Sequence, residues 1–202
     1  MSKVVLMKVD ESLPLKEQLF ASLDSLSQEK ALRYLREEDQ VRSALASLFI
    51  RKEVGEGLIE KGPYGKPFIT GKPFFNISHS YNWVGICVDN EEIGFDIELI
   101  SRCDLSIAKA AFTKEEQSLI HDQESFAQAW TRKEAIAKCL GRGIEKPSLV
   151  GALFLQEHLY SYKEETYYLH EWLEGGYAFC VAKKTPGDAP VPIVIKLSDL
   201  LR

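Results

Sequence analysis

Residues 75–98 read FNISHSYNWVGICVDNEEIGFDIE, and the fold is decided by how this stretch is read. It closes on Gly94-Phe95-Asp96-Ile97-Glu98, with Ile93 and Leu99 on either side. Alternate residues of a strand share a face. The spacing therefore predicts that Asp96 and Glu98 point one way and the intervening apolar side chains the other, into a core. Two adjacent carboxylates repel unless solvent, a proton or a cation relieves them. A hard divalent cation such as Mg²⁺ suits one or two carboxylates together with substrate phosphates. Taken alone, Asp-x-Glu reads more plainly as a solvated strand face, so its flanks carry the decision.

Working outward, residues 83–88 and 93–99 flank Asp89-Asn90-Glu91-Glu92 and read as an antiparallel hairpin with a four-residue loop. Before them, a short apolar piece at 74–77 is interrupted by Ser78-His79-Ser80, and Pro63-Tyr64-Gly65-Lys66-Pro67 reads as a turn. Residues 4–9 form a short strand by composition. Pro14 opens a helix carrying Leu15, Leu19, Phe20, Leu23 and Leu26, and Ser27 is the N-cap expected for a second. A third helical stretch carries Val41, Leu45, Leu48 and Phe49.

Downstream, Leu105, Ala108 and Phe112 predict a short helix. Thr113-Lys114-Glu115-Glu116 matches a capping box with Thr113 as N-cap and Glu116 at N3. Residues 126–140 predict a long helix ended by Gly141. On it Trp130, Glu134 and Lys138 recur every four residues and share one stripe. The plain reading of that stripe is a surface Glu–Lys pair worth a few tenths of a kcal/mol. β-like runs follow at 150–155, 166–172, 177–182 and 191–197, with Gly175-Gly176 as a hairpin turn between the middle two. Helices followed by a small, mostly antiparallel sheet thus occur twice, without a residue-level repeat.

Composition narrows the function classes. A chain of 202 residues can form a real core, as one medium domain or two small halves. A net charge of −5 argues against a general nucleic-acid binder, so an anionic ligand would need a local basic pocket. The cysteines Cys87, Cys103, Cys139 and Cys180 are scattered, with no C-x-x-C pair. That pattern fits a reducing cytosol and gives no zinc or disulfide signal. The apolar residues before Lys8 are too few for a signal peptide, and no apolar run approaches the ~20 residues that span a membrane.

Five motifs taken together resemble the 4′-phosphopantetheinyl transferase superfamily, in particular its larger, surfactin-synthetase-activating type. They are Tyr64-Gly65-Lys66-Pro67, Phe75-Asn76-Ile77-Ser78-His79-Ser80, Gly94-Phe95-Asp96-Ile97-Glu98, Phe112-Thr113-Lys114-Glu115-Glu116 and Trp130-Thr131-Arg132-Lys133-Glu134-Ala135-Ile136-Ala137-Lys138. The resemblance fades after Gly143. It implies an α+β fold of two similar halves, residues 1–90 and 91–202, each with helices on a small, mostly antiparallel sheet. The active site would lie in the cleft between them. A chain long enough for both halves is expected to be a monomer.

The resemblance implies Mg²⁺-dependent (or Mn²⁺-dependent) transfer of 4′-phosphopantetheine from coenzyme A to a serine of an apo acyl or peptidyl carrier protein, releasing 3′,5′-ADP. Asp96, Glu98 and Glu134 would hold the metal, Lys138 would contact the pyrophosphate, and Glu116 would be the candidate base. Ser78 and His79 would face the 3′-phosphate with Lys66 nearby, and Arg42 would line the nucleotide pocket. Plainer readings stand beside these: His79 as a hydrogen-bonded loop histidine, Arg42 as a solvated helix residue, Glu116 as a cap alone. Glu116→Gln is expected to keep the cap and lose a base. Two rival functions are a non-catalytic nucleotide-binding module, which would not need Glu134 and Lys138, and a Mg²⁺-dependent phosphohydrolase, which would need no carrier. Fatty-acid, polyketide and peptide-synthetase carriers are all open.

Overall fold

The computed structural model describes residues 2–141, 159–162 and 165–201. It is an α+β protein, as expected, with two four-stranded sheets. The first is built from β1 (Lys3–Lys8), β4 (Phe74–Ser80), β5 (Trp83–Asp89) and β10 (Pro192–Val194), in the order β10-β1-β5-β4. Its helices are α1 (Lys16–Ala21), α2 (Ser25–Leu32) and α3 (Glu37–Phe49), the last continuing as a π-helical turn, Ile50–Val54, that ends at Gly55 with φ 103°. A two-stranded ribbon, β2 (Glu60–Lys61) with β3 (Pro67–Phe68), lies between α3 and β4 in sequence.

The second sheet is antiparallel throughout, in the order β6 (Ile93–Leu99), β9 (Tyr177–Lys183), β8 (Glu165–Glu174), β7 (Leu159–Tyr162). Its helices are α4 (Ala108–Ala111), α5 (Lys114–Gln117) and the long α6 (Gln123–Cys139), and α7 (Leu197–Leu200) follows β10.

Strand periodicity sorts the apolar side chains into layers. Val5, Met7 and Ile86 pack with Leu45, Leu48 and Phe49 under the first helices. Val4, Leu6 and Cys87 on the other face meet Phe95, Ile97, Phe179 and Val181 between the sheets. Beyond the second sheet, Cys180 and Ala182 meet Ala135, Ile136 and Cys139 of α6. β9 is consequently buried along its whole length.

Several expectations are corrected. The helix opened by Pro14 is shorter than expected: α1 ends at Ala21, and Leu26 lies on α2. Residues 83–88 and 93–99 are strands but not a hairpin. β5 is already paired on both edges, by β1 and β4, so β6 crosses to the other sheet and pairs with β9. Ser78-His79-Ser80 does not interrupt its strand, because alternate polar side chains of β4 find partners on β6. Asn76 Oδ1, Ser78 Oγ and Ser80 Oγ accept the N–H groups of Phe95 (2.9 Å), Ile97 (3.3 Å) and Leu99 (3.0 Å). The second helix starts earlier than Ser27. Asp24 is its N-cap, accepting the Ser27 N–H at 2.9 Å, since a carboxylate also complements the positive helix end. Residues 191–197 are not one strand of the second sheet. β10 is short, lies parallel to β1 at the edge of the first sheet where Pro192 needs no N–H to donate, and gives way to α7. Leu197 and Leu200 pack into the first core. The run at 150–155 lies outside the described residues.

Other expectations hold. The capping box at Thr113 forms, α6 ends at Gly141 with φ 68°, and Gly175 and Gly176 turn β8 into β9 with φ of 56° and 81°. α6 is itself capped by Asp122, which accepts the Ser125 N–H at 2.8 Å.

The contact of β6 with α6 depends on Gly94. A Cβ there would lie 1.8 Å from the Ala135 carbonyl oxygen and 2.5 Å from the Cys139 nitrogen, so the helix rests directly on the strand backbone. Gly94→Ala must push α6 outward, at a cost of at least about 1–3 kcal/mol. Urea denaturation should show the lower midpoint; an unchanged midpoint would refute the tight β6–α6 contact.

Candidate active site

Asp96 and Glu98 share the Gly94 face of β6 and therefore look toward α6. Lys138, in the last turn of α6, reaches back to meet them. Its Nζ lies 2.6 Å from Asp96 Oδ1 and 3.9 Å from Glu134 Oε2, and it donates to the Phe95 carbonyl and Ser78 Oγ, each at 3.3 Å. Trp130, two stripe positions before Lys138, anchors this face by stacking on Phe126 at 5.9 Å between ring centroids. The first sheet contributes too. Ser78 donates to Asp96 Oδ1 at 2.8 Å, and Ser80 to Glu98 Oε2 at 3.1 Å.

Two carboxylates thus pair with one ammonium, and the charge of Glu98 acts on it from further off. Burial and then the charge of Asp96 push the Glu98 pKa up to about 7. Burial also raises that of Glu134, with Lys138 opposing and Asp96 adding to the rise. Burial alone would lower the Lys138 pKa, but Asp96, Glu134 and Glu98 outweigh it and the pKa moves up. Asp96 is 3% exposed, and its Oδ2 is buried without a hydrogen-bond partner among the described residues. An all-oxygen donor set with unsatisfied negative charge and an unpartnered carboxylate oxygen fits a hard cation. Among the described residues no group of three His, Cys, Asp or Glu side chains is arranged to hold a metal by itself.

A second feature lies in the first half. A cavity of about 370 Å³ is lined by Lys30, Arg42, Ser43, Lys61 and His79, among others. Arg42 is held in place: Nε and Nη2 donate to the Tyr81 carbonyl at 2.9 and 2.6 Å, and Nη1 pairs with Asp39. The His79 side chain is exposed yet set in the concave cavity wall. Loss of hydration there, then the charges of Arg42 and Lys138, push its pKa down.

Two residues expected at the nucleotide end point elsewhere. Lys66 donates from Nζ to the carbonyls of Ile93 (3.0 Å) and Cys139 (3.4 Å). It does not line the His79 cavity. An ammonium suits the negative C-terminal end of α6, and burial lowers its pKa. The Ser78 hydroxyl is engaged by Asp96, Ile97 and Lys138. Arg42 and His79 do converge on the cavity. Lys30 and Lys61 join them without having been singled out in the sequence; they come from α2 and β2, and no local pattern links them.

Glu116 lies in its own buried cluster. Its Oε2 accepts the Thr113 N–H at 2.7 Å and its N–H meets Thr113 Oγ1 at 3.3 Å, closing the capping box. The same Oε2 is 2.8 Å from Lys133 Nζ, the two side chains being 2% and 0% exposed. Lys133 also donates to the Ala111 carbonyl at 3.1 Å and lies 4.8 Å from the centroid of the Phe112 ring. The sequence motif contained Lys133, but nothing in a helical pattern marks a lysine as fully buried.

The fold and site define an α+β protein in which a strand Asp-x-Glu faces a helical Glu–Lys pair, beside a cationic cavity. Residues 92–182 match the family model of the 4′-phosphopantetheinyl transferase superfamily, a span that includes Asp96, Glu98, Glu116, Glu134 and Lys138. The chain is 36% identical over 143 residues to the 4′-phosphopantetheinyl transferase gsp of Aneurinibacillus migulanus, covering 64% of this chain and 60% of that protein. It is 33% identical over 147 residues to the 4′-phosphopantetheinyl transferase Sfp of Bacillus subtilis (strain 168), covering 65% and 66%. Each match spans less than two thirds of the relative's own length. The superfamily resemblance carried by the motifs is thereby shown.

The buried Glu116–Lys133 pair changes what a substitution at Glu116 reports. Glu116→Gln keeps the cap but breaks the ion pair, so stability should fall by on the order of 3 kcal/mol. Adding Lys133→Met should recover much of the loss. A double-mutant cycle in urea measures this coupling; strictly additive losses would mean that the pair contributes nothing.

Proposed function

We propose that this protein transfers the 4′-phosphopantetheine group of coenzyme A to a serine of an apo acyl or peptidyl carrier protein, with release of 3′,5′-ADP, in a Mg²⁺-dependent reaction. The observation that carries this reading is the convergence of Asp96, Glu98, Glu134 and Lys138 where β6 meets α6, inside the segment matched by the superfamily model. Relatives named as 4′-phosphopantetheinyl transferases support it.

In this reading Asp96, through its unpartnered Oδ2, together with Glu98 and Glu134 would hold Mg²⁺ (or Mn²⁺). The ion, when bound, neutralises charge on the pyrophosphate. Lys138 stabilises the charge that builds on the leaving phosphate as the P–O bond breaks. Arg42 and His79 hold the nucleotide end, with Lys30 and Lys61 adding positive charge to the same cavity. Protonation of His79 on binding a phosphate would offset its depressed pKa. Ser78 orients Asp96, and Lys66 secures the joint of β6 with the end of α6. Glu116 is the base candidate. At 2% exposure it would receive the serine proton through an intervening water.

The arrangement as two similar halves, 1–90 and 91–202, with the site in a cleft between them and a monomeric chain, belongs to the same proposal. The side-chain joint between β4 and β6 supports the cleft, whereas residues 192–200 return to the first sheet and its core, so the end of the second half's sequence packs with the first. A reducing, cytoplasmic setting is in keeping with four free, buried cysteines. Among the described residues no helix is long and apolar enough to cross a membrane.

The deciding experiment is intact-protein mass spectrometry of apo-carriers incubated with this protein, coenzyme A and Mg²⁺. A gain equal to phosphopantetheine on the carrier serine, absent with a chelator and with Asp96→Ala, is expected. Coenzyme A cleavage without any carrier would overturn the transfer reading in favour of a phosphohydrolase, and binding without turnover in favour of a nucleotide-binding module.

A further inference from the structure

The joint between β4 and β6 repeats with a fixed offset. Asn76, Ser78 and Ser80 each accept the N–H of the residue nineteen positions on, namely Phe95, Ile97 and Leu99. The residue eighteen positions on differs. For Ser78 it is Asp96 and for Ser80 it is Glu98, and each serine donates its hydroxyl proton to that carboxylate. For Asn76 it is Gly94, which has no acceptor side chain, and there an amide suffices. Hydroxyls therefore stand where a side chain must accept from the backbone and donate to an acid together.

With Glu98 ionised, as it must be to hold a cation, the direction of these bonds is fixed. A backbone N–H can only donate, so the oxygen of Ser80 must accept from Leu99, and its single proton is left for Glu98 Oε2. Glu98 is half-buried and faces the like charge of Asp96, which would turn it away if nothing held it. The bond from Ser80 restrains the carboxylate across the joint between the sheets.

We propose that Ser80 is a positioning residue for the metal site: it fixes Glu98 from the opposite sheet and thereby raises the affinity of the Asp96–Glu98 strand for a divalent cation. This rests on the reading of Asp96 and Glu98 as metal ligands. Ser80 itself touches neither the cation nor the substrate. Its contribution is of the kind made by outer-shell partners of metal ligands, whose loss commonly weakens binding 10–100-fold.

The test titrates Mn²⁺ alone into the full chain, with free ion read by electron paramagnetic resonance, alongside thermal unfolding. Ser80→Ala should raise the Mn²⁺ Kd by about tenfold or more. Ser80→Thr, which keeps the hydroxyl, should stay within about threefold of the parent if the hydrogen bond is what acts. A lowered Tm in Ser80→Ala with an unchanged Mn²⁺ Kd would overturn the inference and leave Ser80 a structural joint. Failure of Ser80→Thr to rescue the Kd while its Tm is normal would also overturn it. If the parent chain binds Mn²⁺ no better than Asp96→Ala, the metal reading itself fails, and this inference with it.

Discussion

The joint between β4 and β6 is made by side chains rather than by a backbone ladder, and the placement of the candidate site depends on it. Both are edge strands of their sheets, and the exposed N–H groups of such edges need partners. Asn76, Ser78 and Ser80 supply them. Because the serines also donate to Asp96 and Glu98, the same contacts that join the two sheets orient the carboxylates. Gly94 completes the arrangement by letting α6 approach β6 closely enough for Lys138 to reach Asp96.

The electrostatics follow from that geometry. One ammonium stands near three carboxylates, and burial, with the charge of Asp96 adding to it, raises the pKa of Glu98 and Glu134. Such a cluster is costly to a protein that uses it only for stability, since buried charges seldom recover their desolvation cost. Perturbed acids gathered at one place are a mark of functional sites. Glu116 is a contrast. It too is buried and acidic, but Lys133 and the Thr113 N–H match its charge.

Much of this was legible in the sequence because the deciding signals are local. Period-two spacing put Asp96 and Glu98 on one face, four-residue spacing put Trp130, Glu134 and Lys138 on one stripe, and the Thr113 cap follows from four consecutive residues. The failures came where the outcome depends on partners far along the chain. Nothing between residues 83 and 99 records that β5 has both edges taken by β1 and β4. Ser78-His79-Ser80 reads as an interruption because the N–H groups that those hydroxyls accept lie nineteen residues further on. The carbonyl partners of Lys66 at Ile93 and Cys139 are set by packing, which its motif does not encode. Lys30 and Lys61 share a cavity wall with His79 only once α2, β2 and β4 are assembled.

The central claim is that the β6–α6 carboxylates and the His79 cavity hold the pyrophosphate and the 3′-phosphate of one coenzyme A molecule. A crystal structure of the protein with coenzyme A and Mn²⁺, using anomalous scattering to locate the metal, tests it most directly. The account predicts a manganese peak beside Asp96 Oδ2, the pyrophosphate within reach of Lys138, and the 3′-phosphate between His79 and Arg42. Coenzyme A bound with its phosphates away from both, or manganese bound away from Asp96, would contradict it.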